Sequence, residues 1–112
     1  MIAALSGVHA KDGERVSTRD IRLAVTAAPL LYDDGAEQVF TASAQTTYTE
    51  GGRPTEGEWY VDEQGHFGSF WPPSYRATYE LSWRVEHGVV TGLTFVDLRN
   101  GSRFQGRFHD KG

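Results

Sequence analysis

The stretch RATYELSWRVEHGVVTGLTFVDLRNGSRFQGRFH, residues 76–109, decides the fold class of this chain. From Tyr79 to Val85, apolar side chains recur at every second position. This period of two is typical of a strand with one buried face and one face in water. The dipeptides His87-Gly88 and Asn100-Gly101 interrupt the pattern, and both tolerate the positive φ angles of tight turns. The stretch therefore predicts three antiparallel strands joined by two hairpins.

The same pattern extends upstream as far as Leu30, with turn signals recurring along the chain. The predicted strands are 30–33, 37–41, 45–50, 58–62, 66–71, 76–86, 89–99 and 102–109. Short connections place consecutive strands side by side, and about eight short strands must curl on themselves to bury their inner faces. We therefore predict a mainly β protein, an antiparallel up-and-down β-barrel of about eight strands.

A short helix is predicted ahead of the first strand, at about residues 18–27. Its apolar positions follow the spacing of one helical face: Ile21, Ala24, Val25 and Ala28. Ser17 and Thr18 are residue types that cap helix starts, and Pro29 ends the pattern. We expect this helix to plug one end of the barrel or to lie across an open seam.

Size and composition fit one soluble domain. Of the 112 residues, 38% are hydrophobic and 12% are aromatic, which is too apolar for a disordered chain and too polar for a membrane span. We divide this single domain, 1–112, into an N-terminal arm (1–16), the helix (17–28) and the barrel meander (29–110). The net charge of -4 argues against a nucleic-acid partner.

The chain contains no cysteine, which excludes disulfides, thiolate metal sites and a cysteine nucleophile. Its opening residues have a short apolar run and no basic leader, unlike a signal peptide. We therefore expect a cytoplasmic protein with no membrane partner. A periplasmic location is the alternative if a leader peptide precedes this sequence.

Four segments in the middle of the chain carry a resemblance: YDDG at 32–35, QVF at 38–40, GEWYV at 57–61 and SFWPPS at 69–74. They resemble uncharacterised lipocalin-like, or calycin-like, small barrel proteins of bacteria that have a Trp-Pro-Pro-Ser loop. The likeness covers residues 20–109 and implies a barrel fold with no catalytic residues to carry over. In those proteins cysteines flank the loop, where this chain has Gly68 and Thr78. The resemblance thus implies a missing disulfide and favours a reducing compartment.

The segment FWPPSYR, residues 70–76, is the main candidate for a binding site. Its two prolines hold an extended backbone that displays Trp71, Tyr75 and Arg76. We expect this loop to cover a ligand mouth, with Trp71 or Tyr75 stacking on the ligand and Arg76 pairing with a carboxylate or phosphate. A rigid turn that covers the barrel end, or that makes a dimer contact, explains the same residues.

Further candidates come from the abundance of aromatic residues, since aromatic side chains often line small-ligand pockets and equally often fill a core. The polar groups nearest to a cavity would be Gln38, Thr47, Tyr48 and Tyr60, provided that their strand faces point inward. His66 begins the strand that leads into the Trp-Pro-Pro-Ser loop. The predicted ligand-binding set is therefore Trp71, Tyr75, Arg76, Trp59, Tyr60, Gln38 and His66.

No nucleophile elbow, phosphate-binding glycine loop or paired histidines occur in the sequence, so neither an enzyme class nor a metal or other cofactor is indicated. The leading hypothesis is non-enzymatic binding of a small, partly apolar ligand in the barrel. The alternative is a structural or interaction module that forms a homodimer through the aromatic loop and an edge strand, with no open cavity. A third hypothesis, an enzyme that uses His66, requires this histidine to lie in a pocket beside a carboxylate.

Overall fold

The chain folds into a closed barrel. The computed structural model describes residues 2–109, and its eight antiparallel strands form one sheet in which β1 pairs with β8. The strands are β1 (Leu30–Tyr32), β2 (Glu37–Phe40), β3 (Gln45–Glu50), β4 (Arg53–Val61), β5 (Phe67–Trp71), β6 (Tyr75–Glu86), β7 (Val89–Asp97) and β8 (Arg103–Phe108). The predicted up-and-down barrel is confirmed. Met1 and residues 110–112, where the predicted domain and meander begin or end, lie outside the described residues.

A short helix occupies the predicted position. A 3-10 turn leads into α1 (Ile21–Thr26), whose apolar side is buried in the core. Ser17 occupies the N-cap position of this turn, as predicted, but its hydroxyl makes no capping hydrogen bond, because the hydroxyls of Ser17 and Thr18 have other partners. Ser17 donates to the Asp20 carboxylate at 3.1 Å, and Thr18 donates to the Gly65 carbonyl at 3.0 Å. The second bond ties the start of the helix to the turn between β4 and β5, so α1 plugs one barrel end.

The end of the predicted N-terminal arm, at residues 13–16, is hydrogen-bonded to β6 of the barrel. The Val16 amide donates to the Leu81 carbonyl at 2.9 Å, and the Trp83 amide donates to the Glu14 carbonyl at 2.8 Å. Strand β5 pairs only with the first half of β6. The N-terminal segment therefore covers the part of β6 that β5 leaves unpaired, and Val16 is almost fully buried there.

Successive hairpin turns lie alternately at the two ends of the barrel, and the two ends carry different structures. The closed end carries α1 and the turns at 41–44, 62–66 and 87–88, and the open end carries the turns at 33–36, 51–52, 72–74 and 98–102. Trp59, Leu81, Trp83 and Leu93 fill the half of the barrel nearer α1. The burial of Leu81 and Trp83 confirms the alternation predicted for β6.

Strand β4 begins at Arg53, earlier than the predicted start at residue 58. Gly51 and Gly52 adopt φ angles of 57° and 79°, which fold a tight hairpin and place Arg53 opposite Glu50. The first half of β4 pairs with β3 alone, because β5 begins to pair with it only at residue 58. Proline has no backbone N–H to donate to a neighbouring strand, so it is tolerated at such an edge. Pro54 therefore lies within β4, although the sequence pattern indicated a loop between residues 50 and 58.

Candidate ligand-binding site

A cavity of about 640 Å³ opens at the open end of the barrel. This volume lies within the range of pockets that enclose small molecules. Its aromatic lining residues are Tyr32, Phe40, Tyr48, Phe67, Trp71, Tyr79, Phe95 and Phe104. Its polar lining residues are Asp33, Asp34, Gln38, Ser69, Arg103 and Gln105. The cavity is therefore an apolar chamber with a small number of polar groups.

Six of the aromatic rings form a continuous chain of contacts around the cavity. In order of contact they are Trp71, Tyr48, Tyr32, Phe95, Tyr79 and Phe104, which we call the aromatic cluster. Centroids of neighbouring rings lie between 6.0 Å and 6.5 Å apart. Each ring comes from a different strand and projects inward because side chains alternate along a strand. A molecule in the cavity would therefore meet rings on most of its sides.

One wall of the cavity carries a hydrogen-bonded polar chain. The Tyr32 hydroxyl donates to Gln38 Oε1 at 2.6 Å, and Gln38 Nε2 donates to Thr46 Oγ1 at 2.9 Å. The Thr46 hydroxyl in turn donates to the Val39 carbonyl at 2.9 Å. The predicted cavity residue Gln38 thus lies in the cavity, where its partners hold its amide in one orientation.

The phenols of the cavity resist ionisation. Burial raises the pKa of Tyr32, and the neighbouring phenols and the Asp34 carboxylate raise it further. Burial also raises the pKa of Tyr48, and the carboxylates of Asp34 and Glu50 add to the effect. The pKa of Tyr79 is raised by burial first and by neighbouring acidic groups next. The tyrosines therefore stay neutral hydrogen-bonding groups well above neutral pH.

We expect the stability of the barrel to fall as the pH rises above about 10, where an unfolded tyrosine begins to lose its proton. The folded protein keeps the proton on Tyr32 at a pH where the unfolded chain has lost it. Rising pH therefore favours the unfolded state and lowers the free energy of unfolding, by up to about 1.4 kcal/mol per pH unit for one group. Urea unfolding of the wild type and of Tyr32→Phe between pH 8 and 11 measures this slope. The free energy of unfolding should fall less steeply with pH in the variant than in the wild type. An equal fall in both would show that the pKa of Tyr32 is not raised by folding. Tyr75→Phe, at an exposed position, is the matched control.

Trp71 is the predicted site residue that belongs to the aromatic cluster, at one end of its chain of ring contacts. It ends β5, and its Nε1 donates to Ser69 Oγ at 3.2 Å. A side chain at Gly57 would meet the Trp71 ring at 2.6 Å, so Gly57 gives the indole its space. Tyr75 begins β6 at the rim, about half exposed, and its hydroxyl accepts a hydrogen bond from Arg99 at 3.1 Å. The Trp-Pro-Pro-Ser loop thus places one aromatic ring in the cavity and one at its edge.

Tyr60 and Arg76 lie on the outer face of the barrel rather than in the cavity. Trp59 pairs with the cavity residue Ser69, and the next residue along a strand points the opposite way. On the outside, Arg76 Nη1 donates to the Tyr60 hydroxyl at 3.2 Å, and its guanidinium lies 4.5 Å from the centroid of the Phe70 ring. The expectation that Arg76 pairs with a ligand in the cavity does not fit this position.

The same alternation separates Thr47 from Tyr48. Tyr48 pairs with Gln38 and lines the cavity, whereas Thr47 pairs with the exposed Val39 on the outer face. Of the four polar residues considered from the sequence, Gln38 and Tyr48 line the cavity, whereas Thr47 and Tyr60 face outward. The pairing with neighbouring strands decides which residues face inward.

Trp59 faces inward but lies in the core between the cavity and α1. It is 1% exposed, and its Nε1 donates to the Thr41 carbonyl at 2.9 Å. Its ring stacks on Phe67 on one side, and the Arg22 guanidinium lies 5.0 Å from its centroid. Trp59 is not among the residues that line the cavity, so its contacts support the cavity floor.

His66 lies in the turn at the closed end, whereas Trp71 lies at the open end of the same strand. At the rise of a β-strand, the two positions are about 16 Å apart. Oδ1 of Asp62 is 4.0 Å from His66 Nδ1, beyond hydrogen-bond distance. His66 therefore lies outside this cavity, and the Asp62 carboxylate is too far from its ring for the hydrogen bond that the enzyme hypothesis requires. Within residues 2–109, no cluster of three or more His, Asp or Glu side chains could hold a metal ion.

Several cavity residues were not singled out by the sequence analysis. Tyr79 lies on the strand face that the alternation predicted to be buried, and Phe104 lies on the inner face of β8, but the pattern gave no sign of which barrel end is open. Asp33 was predicted as the last residue of the first strand, and Asp34 was considered only within the YDDG segment. They line the mouth because the turn between β1 and β2 lies at the open end.

Together, the topology and the lining define a small up-and-down β-barrel with an aromatic cavity open at one end. No known protein family, curated protein or solved structure matches this chain. In the part of the chain that the structure describes, no helix has the length and apolar character needed to cross a membrane.

Proposed function

We propose that this protein binds a small, partly apolar molecule in its cavity and catalyses no reaction on it. The observation that carries this proposal is the open chamber of about 640 Å³, lined by eight aromatic residues. A barrel of this strand number can fill its interior with side chains or hold one small ligand. Here the half nearer α1 is filled, and the other half is left open.

The proposed contacts follow from the geometry. The aromatic cluster supplies flat apolar surfaces, and Trp71 is its largest ring. Gln38 and Ser69 supply polar groups on the walls, and Tyr75 stands at the rim where a ligand would enter. The other predicted site residues, which lie outside the cavity lining, then belong to the supporting wall: Trp59, Tyr60, Arg76 and His66. We extend the proposal to a lipocalin-like relationship and a cytoplasmic location, both of which agree with this role.

The alternative, a homodimer, draws support from the rim. Tyr75, Leu98 and Phe104 are each close to half exposed, and all three lie at the open end. Exposed apolar groups gathered on one surface are typical of interaction sites. The strand pairing also leaves one edge, residues 53–57 of β4, paired on one side only. The alternative was stated as a homodimer with no open cavity, and the cavity at the open end does not fit that part of it.

Native mass spectrometry of the protein purified from its own host tests the proposal. We expect a reproducible extra mass on each subunit, released when the protein is denatured. A control preparation of Ser69→Trp, which places a large side chain in the cavity, should carry less of this mass. A bare dimer from the wild type would contradict ligand binding and favour the interaction module.

A further inference from the structure

The charges around the cavity are unequal. Asp33 and Asp34 contribute two carboxylates at the mouth, and Arg103 is the single cationic residue in the lining that the described residues provide. Asp33 and Asp34 are consecutive residues of one turn, so their negative charges are close together. Arg103 extends from an outward-facing position of β8, since its neighbour Phe104 is the residue that faces the cavity.

The electrostatic influence of Asp34 extends into the aromatic cluster. Its carboxylate contributes to the raised pKa of both Tyr32 and Tyr48, whereas at Tyr79, farther along the cluster, the Arg99 guanidinium partly offsets the effect of Asp97 on the pKa. The charged side chains that act on Tyr32 and Tyr48 are therefore carboxylates: Asp34 for both rings, and Glu50 for Tyr48 as well. This side of the cavity is the more favourable place for a cation.

The rings of the cluster are also free to take a cation. Within residues 2–109, guanidinium groups lie over Trp59, Tyr60, Phe70 and Tyr75, and none lies over a ring of the aromatic cluster. Aromatic faces attract cations through their quadrupoles, and cages of such faces are a common means of binding quaternary ammonium groups. The cluster supplies six rings from six strands.

From the aromatic cluster and the two carboxylates beside it, we infer that the ligand is a small organic cation, an amine or quaternary ammonium compound with an apolar body. The apolar body would lie in the cavity, and the ammonium group would lie between the rings of Tyr32 and Tyr48 and the Asp33-Asp34 turn. This inference rests on the proposed function, because it names the chemical class of the same ligand.

Three probes of nearly equal shape and different charge test the inference. They are benzyltrimethylammonium, its uncharged carbon analogue neopentylbenzene, and the anion phenylmethanesulfonate. Titration calorimetry with the full chain should show that the cation binds about tenfold more tightly than either of the others. Fluorescence of Trp71, read as the difference between the wild type and Trp71→Phe, shows whether the probe enters the cavity.

The double variant D33N/D34N removes both charges. Its amide side chain at position 34 keeps an oxygen that can accept the hydrogen bond now donated by the Ala36 amide to Asp34. We expect the affinity of this variant for the cation to fall about tenfold, with its affinity for neopentylbenzene unchanged. The control E56Q/E63Q makes the same change in net charge at exposed positions outside the cavity and should bind as the wild type does.

The outcomes separate the inference from the proposed function. Tighter binding of the cation, lost in D33N/D34N and kept in E56Q/E63Q, supports both. Equal or tighter binding of the uncharged or anionic probe in the cavity overturns the cationic class and leaves ligand binding standing. If no probe binds to the wild type, the proposed function fails and the inference fails with it.

Discussion

Replacing Trp83 with alanine should lower the free energy of unfolding by about 3–5 kcal/mol, the largest effect on stability that we expect from a single substitution. Trp83 is 3% exposed and lies in the filled half of the barrel, on the inner face of β6. Its removal takes away a large apolar surface and leaves a space that rigid neighbouring strands cannot close. Because small domains are stable by only about 5–15 kcal/mol, this is a substantial fraction of the total.

Urea unfolding at neutral pH measures the effect as a shift of the midpoint at constant slope. Leu98→Ala, at a position 46% exposed on the rim, is the matched control and should cost under about 0.5 kcal/mol. A loss below about 1 kcal/mol in Trp83→Ala would show that the inner face of β6 has been assigned wrongly.

Replacing Trp71 with alanine should weaken ligand binding about thirtyfold, equivalent to about 2 kcal/mol, the largest effect on affinity that we expect. Trp71 contributes the largest ring of the aromatic cluster, and its indole occupies the space that Gly57 leaves free and donates a hydrogen bond to Ser69. Its loss should cost less stability than that of Trp83, because the Trp71 side chain is only partly buried. Calorimetry with benzyltrimethylammonium measures the change in affinity.

Phe70→Ala is the matched control for this substitution. Phe70 precedes Trp71 on β5 but points outward, where its ring contacts the Arg76 guanidinium. The affinity of this variant for the probe should stay within about twofold of the wild type, since Phe70 does not line the cavity. If Trp71→Ala instead unfolds the protein, Trp71 is a core residue and its assignment to the ligand is wrong.

The barrel could be predicted because the patterns that indicate it lie between residues close together in the sequence. Alternation from Tyr79 to Val85 and the turn residues His87-Gly88 and Asn100-Gly101 depend only on neighbours in sequence. A period of two defines two strand faces whatever the rest of the chain does, and tight turns force consecutive strands to pair. The inner positions Leu81 and Trp83 could therefore be predicted before any tertiary contact was known.

The candidate site was predicted less completely because its residues meet through register and not through sequence proximity. Strands β2 to β4 are polar on both faces over much of their length, so the pattern did not decide whether Tyr60 or Trp59 faces inward. The pairing of Trp59 with Ser69 decides it. Likewise, Asp34 and Trp71 are distant in sequence and line one cavity only because two turns share the open end.

Periodicity and turn chemistry were enough to define the barrel, its strand order and the short helix, because each of these depends on residues close together in the chain. Which half of the barrel is filled depends instead on contacts between distant segments. Helix α1 and the N-terminal segment around Val16 pack into one end through residues far along the chain, such as Leu81. The cavity is the space left at the other end of the barrel, away from α1 and the N-terminal segment.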